Sequence, residues 1–259
     1  MNPRTPERYR TLAISAARYV SRKFKIATPS RIGVILGTGW DVLPIERAQE
    51  IPLNKVHFLP KLQTQVEGHA RALVYGFVEG MPVVALRGRY HLNESSHDQD
   101  LVDMVRLQTQ LLIQLGARTV IVTSAVGSLK SEVRVGQVVV VTGLVQVFAP
   151  PLPLCAGEFC SPEDALDQTL QDTASSLSMS CRVSVRMGGH VMVRGPNFEG
   201  RKFDKTFLAM TGASVVGMSM LPEVAVCSLH RHEGVRALGL GFVTNDATEE
   251  HSHEENQRR

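Results

Sequence analysis

Polar and apolar residues alternate along this chain with two periods. Tyr9, Leu12, Ala13, Ala16, Tyr19 and Val20 recur at helical spacing, and Thr5-Pro6 ahead of them supplies an N-cap and a first-turn proline. Short apolar runs predict strands at 32–36, 83–89, 119–123, 137–147, 182–193 (with a bend at Gly188-Gly189), 214–217 and 235–244. Between them, helical patterns cover 98–115, 165–177, 198–210 and 222–232. Glycine and proline punctuate the series. Gly37-Thr38-Gly39 ends the first strand, Gly116 stops the helix before it, and the breaker-rich "APPLPL" follows the strand at 137–147.

Alternating strands and helices predict an α/β fold: a single domain, 1–259, with a central mixed, largely parallel β-sheet flanked by helices. No linker, repeat or shift in composition divides it. In such sheets ligands sit beyond the carboxyl ends of the strands. Those ends carry Gly37-Thr38-Gly39, Arg89-Tyr90-His91, Ser124-Ala125, Met218-Ser219 and Thr244-Asn245, all small, hydroxylated or hydrogen-bonding.

Composition narrows the ligand. The 259 residues are 43% hydrophobic and 20% charged, an ordinary globular balance. A net charge of +3 is too small to argue for a nucleic-acid or membrane partner. The four cysteines form no CxxC pair, so no zinc site or other metal site is expected. The polar start "MNPRTPERYR" lacks the apolar core of a signal peptide, and the expected compartment is the cytoplasm.

Against that modest charge, "LRGRYHLNE" stands out. Arg87, Arg89 and His91 occupy every second position at the end of an apolar run. On a continuous strand they would share a face and await a small anion. "GTG" after the first strand leaves backbone N–H groups for an anion, although alone it reads as a tight turn. Val42 stands where the third glycine of a dinucleotide motif belongs. In "VRGPNFEG", Phe198 could stack on a flat ring and Glu199 accept a ring N–H. A first-turn glutamate also complements a helix dipole. Asn245 can donate and accept at a strand end, or serve a turn. His69 follows a loop glycine and reads equally as a surface histidine, and "HSHEE" reads as a solvated tail.

Taken in order, "GTG", "VEGHA", "GRYHLNE", "TSAVGSL", "VMVRGPNFE", "GASVVGMSMLPEV", "VTN" and "HEEN" resemble the trimeric purine nucleoside phosphorylases and their relatives, the methylthioadenosine phosphorylases. The resemblance implies phosphorolysis without a metal or organic cofactor. Inorganic phosphate, as co-substrate, attacks the anomeric carbon of a purine nucleoside, and free base and ribose 1-phosphate leave. It further implies that Thr38, His69, Arg89, His91, Ala125 (through its backbone) and Ser219 hold phosphate. Val126, Gly127, Phe198, Glu199 and Asn245 would line the purine site, and Met218, Asn93 and His253 the ribose. His91, Glu199 and Asn245 would carry the catalysis, and Phe159 would reach a neighbouring subunit of a homotrimer.

The glutamate–asparagine pair favours 6-oxopurines, inosine or guanosine, since the methylthioadenosine branch has serine and aspartate there. "GTG" and "AVGSL" lean toward that other branch, which is the alternative reading. A catalytically weak purine- and phosphate-binding protein is a further one. Departures from the family pattern motivate it. Asn93 and His190 replace ribose-side tyrosines, Ser124 replaces an asparagine, Asp246 adjoins Asn245, and the polar tail 245–259 ends without the family's usual C-terminal helix.

Overall fold

Each long helix begins where a side-chain oxygen meets its unpaired N–H groups. In the computed structural model, which describes residues 4–40, 42–62, 71–95, 98–145, 154–194 and 203–246, Thr5 Oγ1 accepts from the Arg8 N–H at 3.2 Å and opens α1 (Pro6–Lys23). Asp98 Oδ1 accepts from the N–H groups of Asp100 and Leu101 at 2.9 and 3.2 Å and opens α2 (Gln99–Gln114). One face of α1 buries Tyr9, Ala13, Ala16, Ala17 and Val20 against α2. α2 is buried all round from Leu101 to Ile113, as a central helix must be. Its buried Asp103 is paired inside, accepting from Tyr9 Oη at 2.6 Å and Arg4 Nε at 2.8 Å.

Among the described residues nine strands form one sheet. They are β1 (Ile32–Leu36), β2 (Glu46–Pro52), β3 (Ala72–Val78), β4 (Met81–Arg87), β5 (Thr119–Ser128), β6 (Val138–Val145), β7 (Val185–Met192), β8 (Val215–Gly217) and β9 (Arg236–Asn245). Their order is β2-β3-β4-β1-β5-β8-β7-β6-β9, and β9 also pairs with β5. Five of the strands therefore close into a ring, β5-β8-β7-β6-β9, with β2, β3, β4 and β1 as an open wing. β1 runs parallel to β4 and β5, and β5 to β9. The antiparallel pairs are β2–β3, β3–β4, β5–β8 and β6–β9, so the sheet is mixed, as its alternating sequence implied.

The larger core lies between the sheet and α1, α2 and α5 (Leu221–Leu229). A smaller one joins Val191, Val193 and Val216 to Leu208 of α4 (Asp204–Met210). Among the described residues no helix is long and apolar enough to cross a membrane.

Three sequence expectations are corrected. β2 and β3 were not foreseen; β2 is exposed at every position but Ile51, so it carries no apolar alternation to read. β5 continues past residue 123 to Ser128, where a break after the β-branched run was expected. The helix at 165–177 begins later, as α3 (Gln168–Cys181), because Asp167 Oδ1 caps the Leu170 N–H at 2.9 Å.

Candidate active site

The strand register levels the ends that matter. Leu36 pairs with Arg87 and Ile35 with Val122, so Gly37, Gly88 and Ser124 lie side by side at one edge of the sheet. Thr123 ties that edge together: its Oγ1 donates to the Ile35 carbonyl at 3.0 Å and accepts from the Gly37 N–H at 2.9 Å. A side chain at 37 would collide with β5, since its Cβ would stand 2.6 Å from the Thr123 carbonyl oxygen.

The three cations of "LRGRYHLNE" do not share a face. β4 ends at Arg87, and Gly88 adopts φ 72°, a left-handed value that glycine takes without strain. The period of two stops there. Arg87 turns to β2 and meets Glu50 at 2.7 Å. Arg89 turns inward and is 3% exposed. The next residue is fixed as well: Gln108 of α2 accepts from the Tyr90 N–H and donates to its carbonyl, both at 2.9 Å. His91, half-buried, follows and gives its N–H to Glu94 Oε1 at 2.7 Å.

Arg89 is the centre of a buried polar cluster. Its Nη2 donates to Ser219 Oγ at 2.6 Å and its Nη1 to the Thr123 carbonyl at 3.1 Å. Its Nε stands 3.1 Å from Glu223 Oε1, a close ion pair without the alignment of a hydrogen bond. Ser124 Oγ lies 2.9 Å from Ser219 Oγ. Two of the five guanidinium N–H groups are thus spent on aligned protein bonds, and Glu223 balances the charge. Ser219 and Glu223 arrive together because Ser219 precedes α5 and Glu223 sits in its first turn.

The neighbouring strand ends carry the remaining groups. Asn245 closes β9 opposite Gly127 of β5, and its carboxamide lies on that glycine: an added Cβ would be 3.0 Å from Nδ2 and 3.1 Å from Oδ1. Thr244 Oγ1 lies 3.3 Å from Asn245 Oδ1 and 3.4 Å from the Val126 carbonyl oxygen, and its one proton serves either acceptor. Val126 and Gly127 are buried beside it, while Ala125 and Met218 are half-buried. His190 of β7 is fully buried, and neither ring nitrogen bonds another described residue. Burial, then the Arg89 charge, lowers its pKa to about 4, so the ring is neutral at pH 7. Gly217 makes room for it; a Cβ there would stand 2.8 Å from Nε2.

Of the residues expected from sequence, Arg89 and Ser219 are in direct contact. Asn245 packs on Gly127. Thr38 occupies the exposed turn after β1, where the Trp40 N–H bonds the Gly37 carbonyl at 3.0 Å. Asn93 is half-buried, with an Oδ1 that has no partner among the described residues. Phe159 is fully exposed and lines a cleft with Ser228 and Leu229, at the end of α5 away from Ser219. His69, Phe198, Glu199 and His253, together with the polar tail from 247 onward, lie outside the described residues. Glu223 and Thr123 were missed as functional residues. The signal for Glu223 was present: one charge inside the apolar helix "LPEVAVCSL".

The chain is similar over most of its length to known proteins. The model of the phosphorylase superfamily matches residues 31–259. Purine nucleoside phosphorylase 1 of Bacillus subtilis is 31% identical over 224 residues, covering 84% of this chain and 79% of its own length. Purine nucleoside phosphorylase 1 of Geobacillus stearothermophilus is 31% identical over 246 residues, with 92% and 85% covered. Isoform 2 of the Schistosoma mansoni purine nucleoside phosphorylase, solved with cytosine and ribose-1-phosphate, superposes with a TM-score of 0.81 at 26% identity, over 99% of this chain and 91% of that one. A Schistosoma mansoni purine nucleoside phosphorylase with inosine gives 0.79 at 26% identity, over the same shares.

Proposed function

The chain belongs to the phosphorylase superfamily, and on that premise we propose that it cleaves 6-oxopurine nucleosides with inorganic phosphate, releasing free base and ribose 1-phosphate. It is a pentosyltransferase in this reading. The observation that carries it is the Arg89–Ser219 contact, formed across 130 residues of chain at the level strand ends.

A guanidinium binds an oxyanion through parallel N–H bonds. With Nη1 and Nη2 each bonded once to protein, each keeps one N–H for a phosphate oxygen. The Ser219 and Ser124 hydroxyls, the Ala125 N–H, Thr38 and His91 supply further donors, and His69 closes over the anion. Held this way, phosphate presents an oxygen to the anomeric carbon and its charge stabilises the cationic ribosyl group. Met218, Asn93 and His253 meet the sugar. Electrons of the breaking bond pass into the purine, and a donor at its edge gains strength as that charge grows. Asn245 Nδ2 fits that role, since its carboxamide sits at the end of β9 against Gly127 and carries two N–H donors. Glu199 takes the ring N–H, with Phe198, Val126 and Gly127 around the base.

No cofactor is needed for this chemistry. We place the enzyme in the cytoplasm, which suits four free cysteines, as a homotrimer in which the fully exposed Phe159 serves a neighbour's site. The test is Arg89→Lys, which keeps a cation against Glu223 and loses the flat two-pronged donor. Its KM for phosphate rises about tenfold or more, with the KM for inosine little moved. An unchanged phosphate KM would overturn the assignment. Faster turnover of methylthioadenosine than of inosine would move the chain to the other branch.

A further inference from the structure

We propose that Arg71 is a positioning residue for phosphate: it neutralises the Glu94 carboxylate and fixes the short segment that carries His91. The inference rests on the reading in which His91 holds the anion, and it assigns a role to a cation outside the cluster around Arg89. Sheet register puts Arg71 in place. Ala72 of β3 pairs with Arg87 of β4, so Arg71, one residue earlier, stands level with Gly88, at the turn that sends Arg89 inward. The Arg71 carbonyl accepts from the Leu53 N–H at 2.8 Å, which secures its backbone.

From there the side chain reaches both flanks of His91. The guanidinium lies over the Tyr90 ring, 4.3 Å from its centroid. Its Nη2 stands 2.9 Å from Glu94 Oε2, and the two side chains are only 7 and 6% exposed. Tyr90 is the residue before His91, and Glu94 is the third after it. Glu94 in turn clasps His91 in both directions. Its Oε1 accepts the His91 N–H at 2.7 Å, and its own N–H donates to the His91 carbonyl at 3.1 Å. The backbone from which the His91 ring departs is therefore fixed by Glu94, and the Glu94 carboxylate is held by Arg71.

Charge supplies the second part of the role. A buried carboxylate bonded to the backbone of a phosphate ligand repels phosphate, and more strongly inside the protein than in water. Arg71 cancels that charge at close range. Without it Glu94 is a buried, uncompensated anion. Phosphate then loses twice, to repulsion and to a poorly aimed His91. A lysine at 71 keeps the positive charge and loses the flat contact with Tyr90, so it serves in part.

The test measures the binding of radiolabelled inorganic phosphate to the full chain by equilibrium dialysis, without nucleoside. Arg71→Met is expected to weaken it about tenfold or more, and Arg71→Lys to recover part of that loss. In Arg71→Met/Glu94→Gln an amide oxygen still accepts the His91 N–H and no charge is stranded. This double variant is expected to return to within about threefold of the wild type. In turnover, the phosphate KM follows the same order while the inosine KM moves less than about threefold, a split that general loosening of the fold does not give. Should Arg71→Met not fold, Arg71→Gln, which keeps a polar side chain over Tyr90, carries the same expectation. Folded Arg71→Met that binds phosphate as tightly as the wild type, or a double variant as weak as the single one, would overturn the proposal while leaving the proposed function in place. A wild type that binds no phosphate would overturn the proposed function and this inference with it.

Discussion

Arg89 illustrates how one side chain gathers its partners from the whole chain. Its charge is balanced by Glu223, 1% exposed, which faces no other cation at salt-bridge distance among the described residues. Removing one member of a buried pair strands the other. Glu223→Ala is expected to cost about 3–5 kcal/mol of stability, read by urea unfolding. His190 makes a second prediction, through protonation. The unfolded ring titrates near 6.5 and the folded ring near 4. Between those values the unfolded chain binds a proton that the folded chain does not, so stability falls as pH drops through that window and this loss levels off below it. The shift corresponds to about 3 kcal/mol. Urea unfolding at several pH values should show that component in the wild type and its absence in His190→Gln. His230, also lowered by burial, contributes in the same direction to both proteins.

Elements matter here chiefly through where they stop. β4 ends at Arg87, and Gly88 at φ 72° sends Arg87 to Glu50 and Arg89 into the interior. A side chain at 88 would meet the left-handed penalty of about 1–2 kcal/mol. Gly88→Val is expected to raise the phosphate KM about tenfold while circular dichroism stays native, because the strain falls on the turn that aims Arg89. This turn also marks a limit of the sequence. Alternation made Arg87, Arg89 and His91 look like one face, since periodicity carries no record of a glycine that resets it. β2 escaped notice for a related reason: an edge strand exposed from Glu46 to Glu50 has no buried face to write into its residues. Buried strands such as β1 and β6 and the helices capped by Thr5 and Asp98 were legible, because burial and capping each demand particular residue types, whereas β3 was missed although it is buried.

At the scale of the molecule, sequence motifs marked the strand ends of the site but not its wiring. Arg89 and Ser219 were both legible as candidate anion ligands, yet their mutual bond, the Thr123 brace and the Glu223 counter-charge depend on strands that lie far apart in the chain and level in the sheet. Only the register of β1 with β4 and β5, and the start of α5 beside them, brings these groups within bonding distance. The central claim is that this cluster holds phosphate as the attacking group. Incubating the protein with inosine, with and without phosphate, and identifying the sugar product tests it most directly. Hypoxanthine and ribose 1-phosphate in equal amounts, with no cleavage when phosphate is omitted, is the expected result; free ribose formed at the same rate without phosphate would contradict it.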